Sequence, residues 1–172
     1  MNARPVWWVV LGAAVVLFVL SRTEKGQQVA ADVVDAVAST VRGLRNNNPG
    51  NIEKGASWQG LRAEQTDSRF AQFTDMKFGV RAAAKVFRNY QKLYSLRTVT
   101  QLINRWAPPV ENDTGAYVNA VAKRVGVDAF AALDLTNAEL CYRFLRAVFR
   151  HECGIAAEAI PESTIREGIA LA

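Results

Sequence analysis

The apolar residues at the start of the chain form one long block. Residues 5–21 carry no charge, and seventeen such residues lie at the short edge of what spans a lipid bilayer as a helix. Trp7 and Trp8 stand near the start of the block, where aromatic rings prefer the membrane interface. We therefore predict a transmembrane signal anchor over residues 1–25. A cleaved signal peptide is the alternative, but no small-x-small cleavage site follows the block.

The next zone has helical periodicity. Apolar side chains recur at intervals of three or four residues, at Val29, Val33, Val37, Val41 and Leu44. This is the spacing of one helix face, so we predict an amphipathic stalk helix over residues 26–41. Asn, Pro and Gly residues at 46–51 then break the periodicity, and we place the start of a folded domain at residue 42.

The remaining pattern is that of a mainly α (α+β) domain with a small irregular β lobe. Residues 52–78 mix aromatic and polar residues without helical spacing, which favours short strands or irregular structure. Four helices are predicted after the lobe. The first covers 79–94, and the second begins with a capping box at 98–101 and ends at Pro108. The third is capped by Asn112 or Asp113 and ends at Gly126, and the fourth begins with a capping box at 136–139.

Composition and charge narrow the function classes. The chain has 172 residues, 50% of them hydrophobic and 22% charged. This length and composition suit one folded domain with an appendage, and they exclude a tail-like protein that has no hydrophobic core. Of the net charge of +5, residues 1–25 carry +2, and the remaining +3 forms no clustered basic stripe, so we expect no nucleic acid partner. Two cysteines and one histidine predict neither a disulfide framework nor a metal site, and we expect no cofactor.

Glu152 is the first candidate catalytic residue. It lies four residues after Val148 and three after Phe149, on the apolar face of the last predicted helix. A carboxyl group facing the interior can act as a general acid if it holds a proton near neutral pH. The alternative is an ion pair with one of three arginines: Arg81, Arg105 and Arg124.

Two further constellations suit a sugar polymer. Amide side chains and an indole ring at 47–59 can hydrogen-bond and stack on a sugar, although the same residues suit tight turns and core packing. The proline-rich loop after Trp106 carries Glu111, a second candidate catalytic residue. The alternative is that Glu111 only compensates the free backbone amides at the start of the next helix. The candidate substrate-binding residues are Asn47, Asn48, Asn51, Trp58, Gln59, Trp106, Asn112, Thr114 and Tyr117.

Six motifs in order along the chain carry a resemblance to a known family. They are 42–52 (Arg-Gly-Leu-Arg-Asn-Asn-Asn-Pro-Gly-Asn-Ile), 58–60 (Trp-Gln-Gly), 67–70 (Asp-Ser-Arg-Phe), 79–82 (Gly-Val-Arg-Ala), 105–114 (Arg-Trp-Ala-Pro-Pro-Val-Glu-Asn-Asp-Thr) and Tyr117. The chain resembles the phage and prophage proteins often called structural protein P5, a lysozyme-like family of virion-associated or lytic peptidoglycan-degrading enzymes. The resemblance implies a lysozyme-like domain over 42–172 that acts on the glycan strand of the cell wall.

The order of the motifs suggests a permuted site. The Asn-Asn-Pro-Gly-Asn-Ile and Trp-x-Gly pattern also resembles the lobe that follows the catalytic glutamate in bacterial wall-degrading glucosaminidases, yet no glutamate-bearing core helix precedes it here. We hypothesise that the helix ending at Glu152 supplies the acid instead. The family pattern there is usually His-Glu-Asn-Gly, and Cys153 replaces the asparagine in this chain.

The expected function is cleavage of the β-1,4 glycan strand of peptidoglycan by general-acid catalysis. Hydrolysis needs a second carboxylate at about 5 to 9.5 Å, whereas a lone acid suits a lytic transglycosylase. We expect the domain to face the periplasm from a virion membrane or the host inner membrane, with residues 5–21 in the lipid bilayer and other virion proteins as further partners. The alternatives are a catalytically inactive, membrane-anchored structural or wall-binding virion protein, and a spanin-like lysis protein.

Overall fold

The computed structural model describes residues 27, 28, 32, 33, 36, 40–109 and 113–172. The predicted anchor over residues 1–25 lies outside this part of the chain, as does most of the predicted stalk. The described residues between 27 and 40 are helical and exposed. In the part of the chain that the structure describes, no helix combines the length and the apolar character needed to cross a membrane.

The folded region is mainly helical, as predicted. Its helices are α1 (Arg42–Arg45), α2 (Met76–Tyr94), α3 (Val99–Trp106), α4 (Thr114–Val125), α5 (Ala138–Glu152), a 3-10 helix (Gly154–Ala159) and α6 (Glu162–Ala170). Helix α2 packs against α6, and α4 packs against α5. The lysozyme-like and permuted character of this arrangement stays a prediction.

The predicted β lobe contains almost no β structure. Among the described residues, β pairing is limited to three isolated bridges, Glu53–Phe70, Leu61–Phe73 and Thr98–Ala132. The lobe, residues 46–75, is instead held together by polar side chains that bond to its backbone. The buried Asn48 amide donates to the Ile52 and Ala71 carbonyl oxygens, each at 2.8 Å. Side chains thus take the place of the strand ladder that the sequence pattern favoured.

Asp67 connects the lobe to α1 through an ion pair. Its carboxylate accepts two hydrogen bonds from the Arg42 guanidinium, at 2.7 and 2.6 Å, and one from Asn46 at 2.7 Å. The backbone amides of Arg69 and Phe70 donate to the same carboxylate. The Arg42 guanidinium, helped by these neutral donors, holds the pKa of Asp67 well below its usual range. The pair joins α1 to the lobe.

The core lies between the helices, where α2, α3 and α5 meet in an aromatic cluster. The Phe87 ring stacks on Trp106 with ring centres 4.5 Å apart, and it meets Phe144 edge to face at 4.9 Å. The first turn of α2 fits under the lobe because residue 79 is glycine. A Cβ atom there would lie 2.0 Å from the Asn47 carbonyl oxygen.

The predicted helix caps are confirmed with one correction. The capping box at Thr98 and Gln101 opens α3, and Asp113 caps α4, which ends at the left-handed Gly126. The capping box predicted at 136–139 is wrong. Asn137 caps α5 by accepting from Leu140, because the Thr136 hydroxyl donates instead to Asp134 at 2.7 Å.

Candidate active site

Glu152 lies at the end of α5, where it lines an open cleft of about 670 Å³ between the lobe and helices α2 and α3. Its side chain is half-buried. The cleft has polar and aromatic walls as well as charged ones. Its lining residues are Gly50, Asn51, Ile52, Glu53, Lys54, Ala56, Trp58, Arg69, Phe70, Val86, Tyr90, Arg105, Trp106, Ala107, Pro108 and Glu152.

Three neutral donors from three separate segments hold the Glu152 carboxyl group. Its Oε1 accepts a hydrogen bond from the Trp106 indole Nε1 at 3.0 Å and one from the Tyr117 hydroxyl at 2.8 Å. Its Oε2 accepts from the Asn51 side-chain amide at 3.1 Å. None of the basic side chains in the described ranges forms an ion pair with Glu152, so the predicted alternative of an arginine partner is wrong for Arg81, Arg105 and Arg124.

Each donor is fixed by its own surroundings. Trp106 stacks on Phe87, and Gly50 packs so closely on its indole that a Cβ atom would lie 3.2 Å from the ring. Tyr117 is only 2% exposed, and its ring stacks on His151 with centres 3.6 Å apart. Burial, reinforced by the adjacent Glu152, raises the pKa of the Tyr117 hydroxyl far above its usual range, so Tyr117 remains a neutral donor.

Asn51 reaches Glu152 from a strained turn. Its φ of +48° lies in the left-handed region, which asparagine tolerates better than most residues. Its backbone amide donates to the Asn48 carbonyl oxygen at 3.0 Å, which fixes the turn. The asparagine-rich segment therefore builds the turn and also sends one side chain to the candidate acid.

Cys153, at the end of α5, contacts the backbone of the same turn. Its thiol is buried and donates to the Pro49 carbonyl oxygen at 3.4 Å. Burial raises the pKa of this thiol to about 12, which excludes a reactive thiolate at neutral pH. Cys153 thus forms a contact between the end of α5 and the turn that carries Asn51.

The structure divides the predicted substrate-binding residues into two groups. Asn51, Trp58 and Trp106 line the cleft, and Tyr117 contacts Glu152 from behind it. The buried Trp58 Nε1 has no hydrogen-bond partner in the described part of the chain.

Among the other predicted residues, those that the structure describes do not line the cleft. Asn47 donates to the Phe73 carbonyl oxygen at 3.0 Å, and the buried Thr114 hydroxyl donates to Ala107 at 2.8 Å. Gln59 is exposed outside the cleft. We therefore assign structural roles to Asn47, Asn48 and Thr114. Glu111 and Asn112 lie outside the described residues, and their predicted roles stay predictions.

The sequence reasoning missed several side chains that line the cleft. They are Lys54, Arg69, Phe70, Tyr90 and Arg105. Only the motifs at 67–70 and 105–114 signalled any of them, and no spacing rule placed the lobe opposite α2 and α3. Within the described ranges no group of three or more histidine, cysteine or acidic side chains is placed to hold a metal ion.

No protein-family model matches the sequence. The chain is similar to "Protein P5" of Pseudoalteromonas phage PM2, with 41% identity over 95 residues. The match covers 53% of this chain and 59% of that protein, so the chain spans little more than half the length of the relative. The similarity supports the resemblance to phage P5 proteins and a bacteriophage context, and the name of the relative states no activity.

Proposed function

We propose that this chain is a phage peptidoglycan-cleaving enzyme that breaks the β-1,4 glycan strand with Glu152 as general acid. One observation carries the proposal: a carboxyl group stands in an open cleft, held by three neutral donors and by no cation among the described residues. Ion-paired structural carboxylates such as Asp67 have a different environment. Positioning by neutral donors at a cleft is what a proton-transferring group needs.

The hydrogen bonds distinguish the two oxygens of Glu152. Oε1 accepts from both Trp106 and Tyr117, which uses both of its lone pairs. Oε2 accepts only from Asn51. Oε2 is therefore the oxygen with room for a proton, and it is the one we assign to the leaving oxygen of the sugar.

The surroundings of the cleft favour transglycosylation over hydrolysis. The other carboxylate among the described lining residues is Glu53, which pairs with Arg69 at 2.7 Å. In hydrolysis a second carboxylate must face the anomeric carbon or the attacking water, whereas the Glu53 side chain is held by Arg69. We therefore favour the reaction that needs one acid.

In that reaction Oε2 gives its proton to the glycosidic oxygen as the bond to the anomeric carbon breaks. A hydroxyl of the same sugar attacks the anomeric carbon and returns its proton to Glu152. The product is an anhydro sugar, and no water is consumed. Asn51 and Trp106 keep the carboxyl group oriented through both proton transfers.

The proposal includes a membrane location for the enzyme. The uncharged residues 5–21 would hold the chain in a virion membrane or the host inner membrane, with the domain on the periplasmic side. The similarity to a phage protein is compatible with that setting. Other virion proteins would then be its neighbours.

The test is loss of turbidity of purified peptidoglycan with the full-length chain. We expect Glu152→Gln to lower the rate about 100-fold or more, because general-acid catalysis contributes at least that factor. Glu64→Gln is the matched control, since Glu64 is exposed in the lobe and does not line the cleft. If folded wild-type protein binds peptidoglycan without clearing it, the inactive wall-binding alternative replaces the enzyme.

A further inference from the structure

The cleft carries cations that the proposed chemistry does not use. Its described charged lining residues are Glu53, Lys54, Arg69, Arg105 and Glu152. Glu53 and Arg69 form an ion pair at 2.7 Å and neutralise each other. In the described ranges neither Lys54 nor Arg105 pairs with a carboxylate. The cleft therefore holds two cations that have no acidic partner among the described residues.

The two cations stand on different walls. Lys54 belongs to the lobe, where its Nζ donates to the Gln65 carbonyl oxygen at 3.3 Å. Arg105 belongs to the last turn of α3, and its guanidinium lies 4.3 Å from the ring centre of Tyr94 and 5.6 Å from that of Tyr90. Such contacts with aromatic faces hold a guanidinium in place without cancelling its charge. Both side chains keep donors for an anionic ligand.

We propose that the cleft selects glycan strands that carry their acidic stem peptides, with Lys54 and Arg105 binding the peptide carboxylates. This inference rests on the proposed function and names its substrate class. In a strand that carries its peptides the sugars themselves are uncharged, because the lactyl carboxyl group of each muramic acid is used in the amide bond to the peptide, so the peptide carboxylates are the anions that two cations can bind. The peptides attached to alternate sugars of peptidoglycan carry free carboxylates. These carboxylates complement the positive charge on the two sides of the cleft.

The test measures binding separately from cleavage. Full-length Glu152→Gln is titrated with three ligands: strand fragments with stem peptides, the same fragments with the peptide carboxylates converted to amides, and a β-1,4-linked N-acetylglucosamine oligomer of the same length, which has neither peptides nor carboxyl groups. The double substitution Lys54→Gln and Arg105→Gln is added to this background. Lys92→Gln is the control for lost charge, because Lys92 is exposed on α2 and does not line the cleft.

We expect the peptide-bearing fragments to bind more tightly than the other two, and the double substitution to weaken only that binding, by about three- to tenfold. The preference should shrink as salt is added. Equal affinity for all three ligands, or a double variant that binds like its parent, would overturn the inference. Cleavage by the wild-type chain is read in parallel. Its absence would count against the proposed enzyme, and the binding preference would still decide the inference.

Discussion

Replacing Tyr117 with phenylalanine tests whether the donors around Glu152 serve the chemistry. The substitution removes one hydrogen bond of 2.8 Å to Oε1 and leaves the ring in place. The stack on His151 and the contact between Trp106 and the same oxygen remain. The change is therefore confined to the orientation of one carboxyl group.

The expected magnitude follows from the burial of this bond. Tyr117 is 2% exposed, and a hydrogen bond to an ionisable group is worth about 1.5 to 3 kcal/mol. If roughly half of that acts in the transition state, kcat falls about four- to twelvefold, since 1.4 kcal/mol corresponds to a factor of ten. Oε1 keeps its bond to Trp106, so no buried acceptor is left without a donor. We expect the free energy of unfolding to fall by no more than the full worth of this bond, about 1.5 to 3 kcal/mol.

Steady-state kinetics on solubilised glycan strands distinguishes a role of Tyr117 in orienting Glu152 from a role in stability alone. Tyr117 does not line the cleft, so KM should stay unchanged while kcat falls. Urea unfolding of the same protein checks the free energy of unfolding. A Tyr117→Phe variant with wild-type kcat, or one whose lost activity follows lost stability, would refute the orienting role.

Two further predictions concern the lobe. The pKa of Asp67 is lower in the folded protein than in the unfolded chain, where it is near 4, so the ionised carboxylate stabilises the fold above about pH 4 and this stabilisation is lost as the pH falls below that value. Asp67→Asn should therefore be less stable than the wild type at pH 7 and should lose less stability on acidification. Urea unfolding between about pH 7 and 3 measures both effects. Gly79→Ala should destabilise the protein by about 2 kcal/mol or more, because the new Cβ atom meets the Asn47 carbonyl oxygen; an unchanged melting temperature would contradict the packing of α2 under the lobe.

The sequence identified the candidate acid because helix periodicity is a local property. Glu152 follows Val148 and Phe149 at helical spacing, and the structure places it at the end of α5 beside the buried face. Its donors could not be derived in the same way. Asn51 lies 101 residues away along the chain, and only the packing of the turn against α5 brings the two together.

The lobe and the last helix show where local patterns fail. Aromatic and polar residues without helical spacing were interpreted as strands, whereas buried amides such as Asn48 bind the backbone there. Helix α6 was not predicted, because a helix of nine residues with Ile165 and Ile169 as its buried apolar side chains offers little periodicity. It packs against α2, a contact between distant parts of the chain that no local pattern shows.

Mass spectrometry of the fragments released from peptidoglycan in ¹⁸O-labelled water tests the role of Glu152 most directly. The glycosidase proposal predicts that the full-length chain cuts between sugars, leaves anhydro ends without the label, and releases about 100-fold less after Glu152→Gln. Labelled ends would instead indicate hydrolysis by the same acid. Release by Glu152→Gln at the wild-type rate, or fragments cut only within the peptides, would contradict Glu152 as the general acid of a glycan-cleaving enzyme.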